Sequence, residues 1–329
     1  MIRKTILLSG LIFLLSISSA YAGDESAGYA ASFLEIPIGA RAAAMGGAYM
    51  GISDDGAGLL YNPAGLANMK KKLFTTSYRA MKLDRSLAYI SILFPTQGNS
   101  VLGVNWLYAG SGSVAARNSL GQLSGHDVSF NSHDFGILFA KRFEDYLSAG
   151  LKINYFQSNF TEINSGTVGI DFGIMIYFDQ FVDRERRDLM PVQNIQLGVA
   201  VKNIGARFVW SNSNYVRRYF GSTTPASEQV DNVPTEFAIG GAASFLNKTL
   251  NLAVDLLKHN KSNIRFHTGA EYLVEQKFAI RAGLSDGSFT AGTGYLFKLG
   301  GNTLAIDYAF STDKAGEGEE HIFSFDILF

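Results

Sequence analysis

The sequence predicts an all-β fold: a fourteen-stranded antiparallel β-barrel of the transmembrane kind, with a small-residue N-terminal segment folded into or against it. Three observations carry that expectation. From Leu73 onward, apolar residues recur at every second position in fourteen short runs. An export leader stands at the start, and an alternating aromatic run stands at the end. None of the 329 residues is a cysteine, so an exported chain has no disulfides to hold it together. A closed hydrogen-bonded sheet would take their place.

The chain divides into three parts. Residues 1–22 read as a cleavable signal peptide: Arg3 and Lys4 precede an apolar run from Ile6 to Ile17, and Ala20-Tyr21-Ala22 supplies the small-x-small cleavage pattern. That run is well short of the roughly 20 residues a spanning helix needs. Cleavage would leave Gly23 as the first mature residue. Residues 23–72 form the N-terminal segment, and residues 73–329 form the barrel.

The stretch from Ile38 to Asn68 is rich in Gly and Ala and lacks a hydrophobic repeat long enough for a core helix or strand. Its candidate site residues are Gly39, Arg41, Met45, Gly46, Gly47, Asp54 and Asp55, followed by Asn62, Pro63, Ala64 and Gly65. The small residues from Gly39 to Gly47 would let backbone approach a barrel wall closely. Asp54 and Asp55 could be an acid/base pair, but Ser53-Asp54-Asp55-Gly56 is turn and cap chemistry. Pro63 fixes its own φ and pushes Asn62 towards an extended backbone, and Gly65 then permits a turn.

The predicted strands are 73–81, 86–94, 100–109, 132–142, 146–156, 166–178, 193–204, 234–245, 248–257, 264–273, 277–285, 290–299, 302–311 and 320–329. The number is even, and a tilted membrane strand needs about 9–11 residues. The two faces differ throughout. Leu304, Ile306, Tyr308 and Phe310 oppose Thr303, Ala305, Asp307 and Ala309. The polar face also collects Lys152, Asp171, Lys202, Asp255, Arg265, Glu271, Arg281 and Lys298, whose mixed signs suit pairing with one another or with a plug. If the first strand starts in the periplasm, the long polar connections 110–131 and 205–233 face outward, while most opposite turns are short. The exception is 179–192, DQFVDRERRDLMPV, which reads either as a solvated loop or as a periplasmic docking point. Within 205–233, Trp210, Tyr215, Tyr219 and Phe220 are candidate contacts for a solute or protein partner, although 206–210 could equally extend a strand into the aromatic interface belt.

A formal net charge of −1 argues against nucleic acid as a partner. The five His residues lack ligand spacing, and no zinc, nucleophile-elbow or phosphate-loop motif is present. No enzyme, cofactor or metal is expected. Phe323, Phe325, Ile327 and Phe329 share one face of the last strand. They resemble the terminal signal that outer-membrane barrels present to their assembly machinery.

Gly39-Ala40-Arg41-Ala42-Ala43-Ala44-Met45-Gly46-Gly47-Ala48, Asp54-Asp55 and Tyr61-Asn62-Pro63-Ala64-Gly65-Leu66-Ala67 together resemble the PorV/PorQ family of outer-membrane proteins. Val201-Lys202-Asn203-Ile204-Gly205 also resembles a recurring strand end of that group. The family is in turn similar to the fatty-acid transporter FadL, whose hatch carries the same Asn-Pro-Ala element. The resemblance implies a bacterial outer-membrane location and a plug near residues 38–72 containing Asn62, Pro63 and Ala64. In that plug the motif either only packs the hatch or also touches a ligand. It implies two functions: a partner of type IX-like secretion-system subunits and cargo protein, or a transporter of hydrophobic small molecules. Secretion is the leading expectation, because the lumen face reads as polar and charged.

The assignment of faces yields a first prediction. Leu252→Arg, on the lipid face, should cost about 2–4 kcal/mol near mid-bilayer, and Asn251→Arg should be milder. Unfolding in lipid vesicles measures both, and equal tolerance at the two sites would count against the face assignment.

Overall fold

The computed structural model describes residues 29–117, 120–161, 163–187, 190–211, 228–261, 263–312 and 318–329. The predicted signal peptide and Gly23 lie outside them. The described strands are β1 (Leu73–Ala80), β2 (Ser86–Thr96), β3 (Ser100–Gly110), β4 (Val114–Arg117), β5 (Leu123–Val128), β6 (Phe130–Glu144), β7 (Leu147–Phe160), β8 (Ile163–Tyr177) and β9 (Val192–Ile204). They continue with β10 (Arg207–Ser211), β11 (Glu228–Asn232), β12 (Glu236–Phe245), β13 (Leu250–His259), β14 (Arg265–Val274), β15 (Phe278–Ser285), β16 (Ser288–Leu299), β17 (Asn302–Thr312) and β18 (Glu319–Leu328).

Fourteen of these strands close into one antiparallel barrel, running β1-β2-β3-β6-β7-β8-β9-β12-β13-β14-β15-β16-β17-β18 and back to β1. Each of the fourteen predicted runs corresponds to one barrel strand. Closure is made by β1 on β18, in register from Leu73 opposite Leu328 to Ala80 opposite His321. Below that ladder, Lys72 and Phe329 exchange backbone hydrogen bonds in both directions. No barrel strand is therefore left as a free edge, which is the condition for backbone to cross hydrocarbon.

The side-chain alternation sorts the two faces. Leu102, Val104, Phe135, Ile137, Phe139 and Ile153 are exposed on the exterior, and Phe323, Phe325 and Phe329 stand out from the last strand in the same way. An apolar exterior this extensive belongs against lipid rather than water. Inward residues are buried and carry the charges: Lys152, Asp171, Asp255, Arg265, Glu271, Arg281 and Asp307 are all buried. Lys298 departs from the expected set and is exposed, near the short-turn end of β16.

The two long connections hold structure of their own. Residues 111–129 contain the hairpin β4–β5, and 205–235 contain the hairpin β10–β11. Residues 206–210 therefore do not extend a barrel strand. Phe208 and Trp210 belong to β10, which pairs with β11. The two connections share one end of the barrel. The long 178–191 connection lies at the other end and folds back on itself. There the Asp179 carboxylate is buried and accepts the backbone N–H of Asn194 and Ile195, and Arg187 donates to Gln180 and to the Val182 carbonyl.

Among the described residues, the register shifts at three places in the wall, between β6 and β7, between β9 and β12, and between β8 and β9. Ile170 of β8 faces Ile204 of β9, yet Phe172 already faces Val201, so Lys202 and Asn203 together oppose Asp171. The extra residue is Asn203, at φ 60°, and its N–H donates to Asp171 at 2.7 Å. Such a bulge bends the strand and interrupts the ladder. Towards the long-loop end β8 meets β10 instead, through side chains: Ser165 exchanges hydrogen bonds with the Val209 backbone, and Thr167 accepts from Arg207 N–H.

The structure revises the test of faces. Leu252 is the third residue of β13, close to the rim, whereas Val254 lies mid-strand on the exterior. Asn251 is already committed inside, donating to Glu271 at 2.9 Å and accepting from Ser244. Val254→Arg should cost about 2–4 kcal/mol against lipid. Asn251→Arg should also destabilise, because it places a third guanidinium beside Glu271. Unfolding titrations in vesicles should show both losses; a neutral Val254→Arg would contradict the lipid-facing assignment.

Candidate functional site

The lumen is filled by the chain segment that precedes β1. Residues 29–38 cross it at the long-loop end, a short helix at Ala40–Ala44 packs on the wall, and two 3-10 turns at Gly56–Leu60 and Pro63–Asn68 descend to the short-turn end. This segment is the plug.

Small residues on both sides make the plug fit. Gly46 turns the chain at φ 66°, and a Cβ there would meet the Leu284 carbonyl oxygen at 2.4 Å. From the wall, a Cβ on Gly283 would come within 2.3 Å of Gly46 N, and one on Gly269 within 2.4 Å of the Met45 carbonyl oxygen. Ala40, Ala43 and Ala44 bury against Ala309 and Ile322. Plug backbone and barrel backbone are therefore nearly in direct contact along β14, β15 and β16.

Charged side chains complete the attachment. Arg41 grips Glu271 with two nitrogens, at 2.9 and 3.0 Å, and reaches Asp54 at 2.6 Å and the Tyr49 hydroxyl at 3.1 Å. Glu271 also accepts from Arg281 at 2.7 Å, and Arg281 donates to Asp307 at 2.6 Å. Burial opposes a charged Arg41, but Asp54 and Glu271 outweigh it and hold the guanidinium protonated beyond its ordinary range. The Asp255 carboxylate accepts the backbone N–H of Tyr49 and Met50, at 2.6 and 2.8 Å.

Asp55 caps the Gly56–Leu60 turn by accepting from Ala57 N and Gly58 N. Burial pushes its carboxyl up, and the nearby Arg41 pulls it only part of the way back. Asn62 caps the next turn: its Oδ1 accepts from Ala64 N at 3.1 Å, and its amide nitrogen donates to the Met50 and Ile174 carbonyls. Pro63 and Ala64 lie against Gly150 of β7, and Gly65 lies against Ser53. The Asn-Pro-Ala-Gly element thus ties the lower plug to β7 and β8.

Above the plug lies a narrow cleft between residues 34–38 and the wall. Its apolar side is Leu34, Ile36, Leu60, Leu107, Phe156 and Leu257, and its polar side is Asp134, Lys152, Asn154, Asp171, Lys202 and Arg265. Most of these wall positions fall in the long-loop half of their strands, with Lys152 and Asp171 near mid-strand. A clasp holds residues 29–38 over the cleft: Glu35 accepts from Arg265 at 2.9 Å and lies 2.7 Å from His259, whose ring meets Tyr29 edge-on at 5.0 Å.

Of the residues singled out in the sequence, Gly39, Arg41, Met45, Gly46, Gly47, Asp54, Asp55, Asn62, Pro63, Ala64 and Gly65 all lie in the plug. Trp210 packs inward against Phe208, Phe156 and Ala206, so it does not project from the loop. Tyr215, Tyr219 and Phe220 lie outside the described residues. The sequence reading missed residues 29–37 as part of the cleft, because that stretch carries no periodic pattern. Among the described residues, no cluster of His, Asp and Glu could hold a metal ion.

No family model matches the chain, and no curated protein matches it. Several solved barrels do. The CymD monoaromatic hydrocarbon channel superposes with a TM-score of 0.58 at 11% identity, covering 89% of this chain and 97% of that one. A Pseudomonas aeruginosa FadL homologue gives 0.55 at 10% identity, covering 87% and 96%. The Pseudomonas putida toluene transporter TodX gives 0.55 at 11% identity, with the same coverages of 87% and 96%. The fold is FadL-like. At these identities the likeness concerns fold alone, and the finer PorV/PorQ resemblance rests on the plug residues and the 201–205 strand end quoted above.

The close approach of plug and wall gives a direct test. Gly283→Val should force Gly46 away from β15, raise ion conductance in planar bilayers and open Arg41 to trypsin. Wild-type conductance and wild-type protease resistance in that variant would contradict a plug seated by small residues.

Proposed function

We propose that this chain is a bacterial outer-membrane channel that passes small hydrophobic molecules between its plug and its wall. The observation that carries this reading is the apolar side of the cleft. Beside the charged wall residues Asp134, Lys152, Asp171, Lys202 and Arg265, the side chains of Leu34, Ile36, Leu60, Leu107, Phe156 and Leu257 come together around one space. Apolar surface kept beside a polar lumen is favourable to an apolar solute and of no use to ions or water.

Two further observations support it. The bulge at Asn203, a residue that lines the cleft, stands where the β8–β9 ladder gives way to side-chain contacts with β10. The wall beside the cleft thus carries one of its irregular pairings, where a lateral route through it would lie. The solved barrels of like fold also include hydrocarbon channels and a toluene transporter.

The other reading, a partner of secretion-system subunits and cargo, rests on resemblance in the plug and at one strand end and has no such observation behind it. Its candidate aromatic contacts are an inward-packed Trp210 and three residues outside the described part of the chain.

The test is solute uptake. Protein reconstituted in liposomes should speed accumulation of labelled toluene over protein-free liposomes. Phe156→Asp, which places an unpaired charge on the apolar side, should slow that uptake by about an order of magnitude. Uptake equal to that of protein-free liposomes would remove the channel reading.

A further inference from the structure

The polar side of the cleft is specific in what it leaves unused. Its cations are all taken. Lys152 lies between Asp134 at 3.2 Å and Asp171 at 3.9 Å, Lys202 pairs with Glu236 at 2.7 Å, and Arg265 is shared by Glu35 and Glu236. A carboxylate ligand could gain a cation only by displacing a buried carboxylate.

Acceptors, by contrast, remain over. Oδ1 of Asp134 and Oδ1 of Asn154 are buried without a hydrogen-bond partner, and so is Oδ1 of Asn105 just behind them. Register explains why they gather. Asn105, Gly136 and Asn154 are directly opposed across β3, β6 and β7, and Asp134 lies on the next inward row. Gly136 is the gap between the two amides, and a Cβ there would come within 2.1 Å of Asn105 Oδ1.

The amide orientations are set by neighbouring carboxylates. Asn154 donates its nitrogen to Asp171 at 2.8 Å, and Asn105 donates to Asp134 at 3.3 Å. Turning either amide over would set oxygen against oxygen, so both Oδ1 atoms are acceptors. A buried acceptor left unsatisfied is costly, and a donor brought to it recovers that cost. A cationic donor would meet Lys152 at the same place.

We propose, resting on the channel reading above, that the cleft selects apolar molecules carrying one neutral hydroxyl group. The hydroxyl donates to Asp134 Oδ1 or Asn154 Oδ1, and the apolar body lies on Leu107 and Phe156. Carboxylates are disfavoured, and plain hydrocarbons bind without the polar contact.

The experiment is equilibrium dialysis of full-length, detergent-purified protein against four labelled molecules of similar size: toluene, 4-methylphenol, 4-methylanisole and 4-methylbenzoate. Wild type should bind 4-methylphenol about ten-fold or more tightly than 4-methylanisole, which keeps the oxygen but has no proton to donate, and than 4-methylbenzoate. Asn154→Leu should lower the preference for 4-methylphenol over toluene by about ten-fold, so that the ratio of the two, and not toluene binding alone, reports the lost acceptor. The wild-type comparison of phenol with anisole stands alone if that variant does not fold. Toluene binding without a phenol preference overturns this proposal and leaves the channel reading in place; the acceptors then serve water only. Failure of all four to bind overturns both.

Discussion

Pairing of every backbone group across the sheet is the constraint on which this molecule depends. In hydrocarbon an unpaired N–H or carbonyl has no water to turn to, so the chain can cross only as a closed sheet. The β1–β18 ladder meets that requirement, and the exchange between Lys72 and Phe329 carries it to the rim. Closure in turn decides what the side chains do. Alternation sends the apolar half of each strand to lipid and the polar half to an interior that must be filled.

The filling follows from how little room that interior leaves. A plug of ordinary side chains would hold its backbone away from the wall; one of Gly and Ala lets the two backbones meet, as Gly46 and Gly283 do. Charges then supply direction. The series Asp54–Arg41–Glu271–Arg281–Asp307 runs from plug to wall with alternating sign. Each buried charge of this series therefore has an opposite neighbour, which is the condition for tolerating it away from water. The two-nitrogen contact of Arg41 with Glu271 fixes both distance and direction, so the same series favours the observed orientation of the plug.

Where this filling stops, the cleft begins. Small residues give way to Leu34, Ile36 and Leu60 on the plug side, and Leu107, Phe156 and Leu257 face them from the wall. The bulge at Asn203 adjoins the same space, and the Glu35 clasp closes over it. Wall irregularity, apolar lining and spare acceptors thus coincide in the long-loop half of the barrel. The short-turn half is sealed by Asn62, Pro63 and Ala64 against β7 and β8.

The sequence by itself determined the fourteen strands, their inward and outward faces and the plug segment. Those properties are local: period-two alternation reports which face is wet, and a run of Gly and Ala reports close approach. It also identified the Asp54–Asp55 pair as turn or cap chemistry and Asn62 as extended ahead of Pro63, because both are decided within three positions of chain; that Asn62 also caps the next turn came from the structure. Only the tertiary structure decided the cleft. Leu34 and Phe156, or Glu35 and Arg265, become neighbours through plug insertion and strand register, and neither is written in any short stretch. The two loop hairpins escaped notice for a related reason: β10 and β11 are five residues each, too short for alternation to separate them from irregular loop. The charged lumen residues read as mixed signs suited to pairing, but which charge pairs with which awaited the structure, because whether a buried charge is spent or available depends on what lies opposite it.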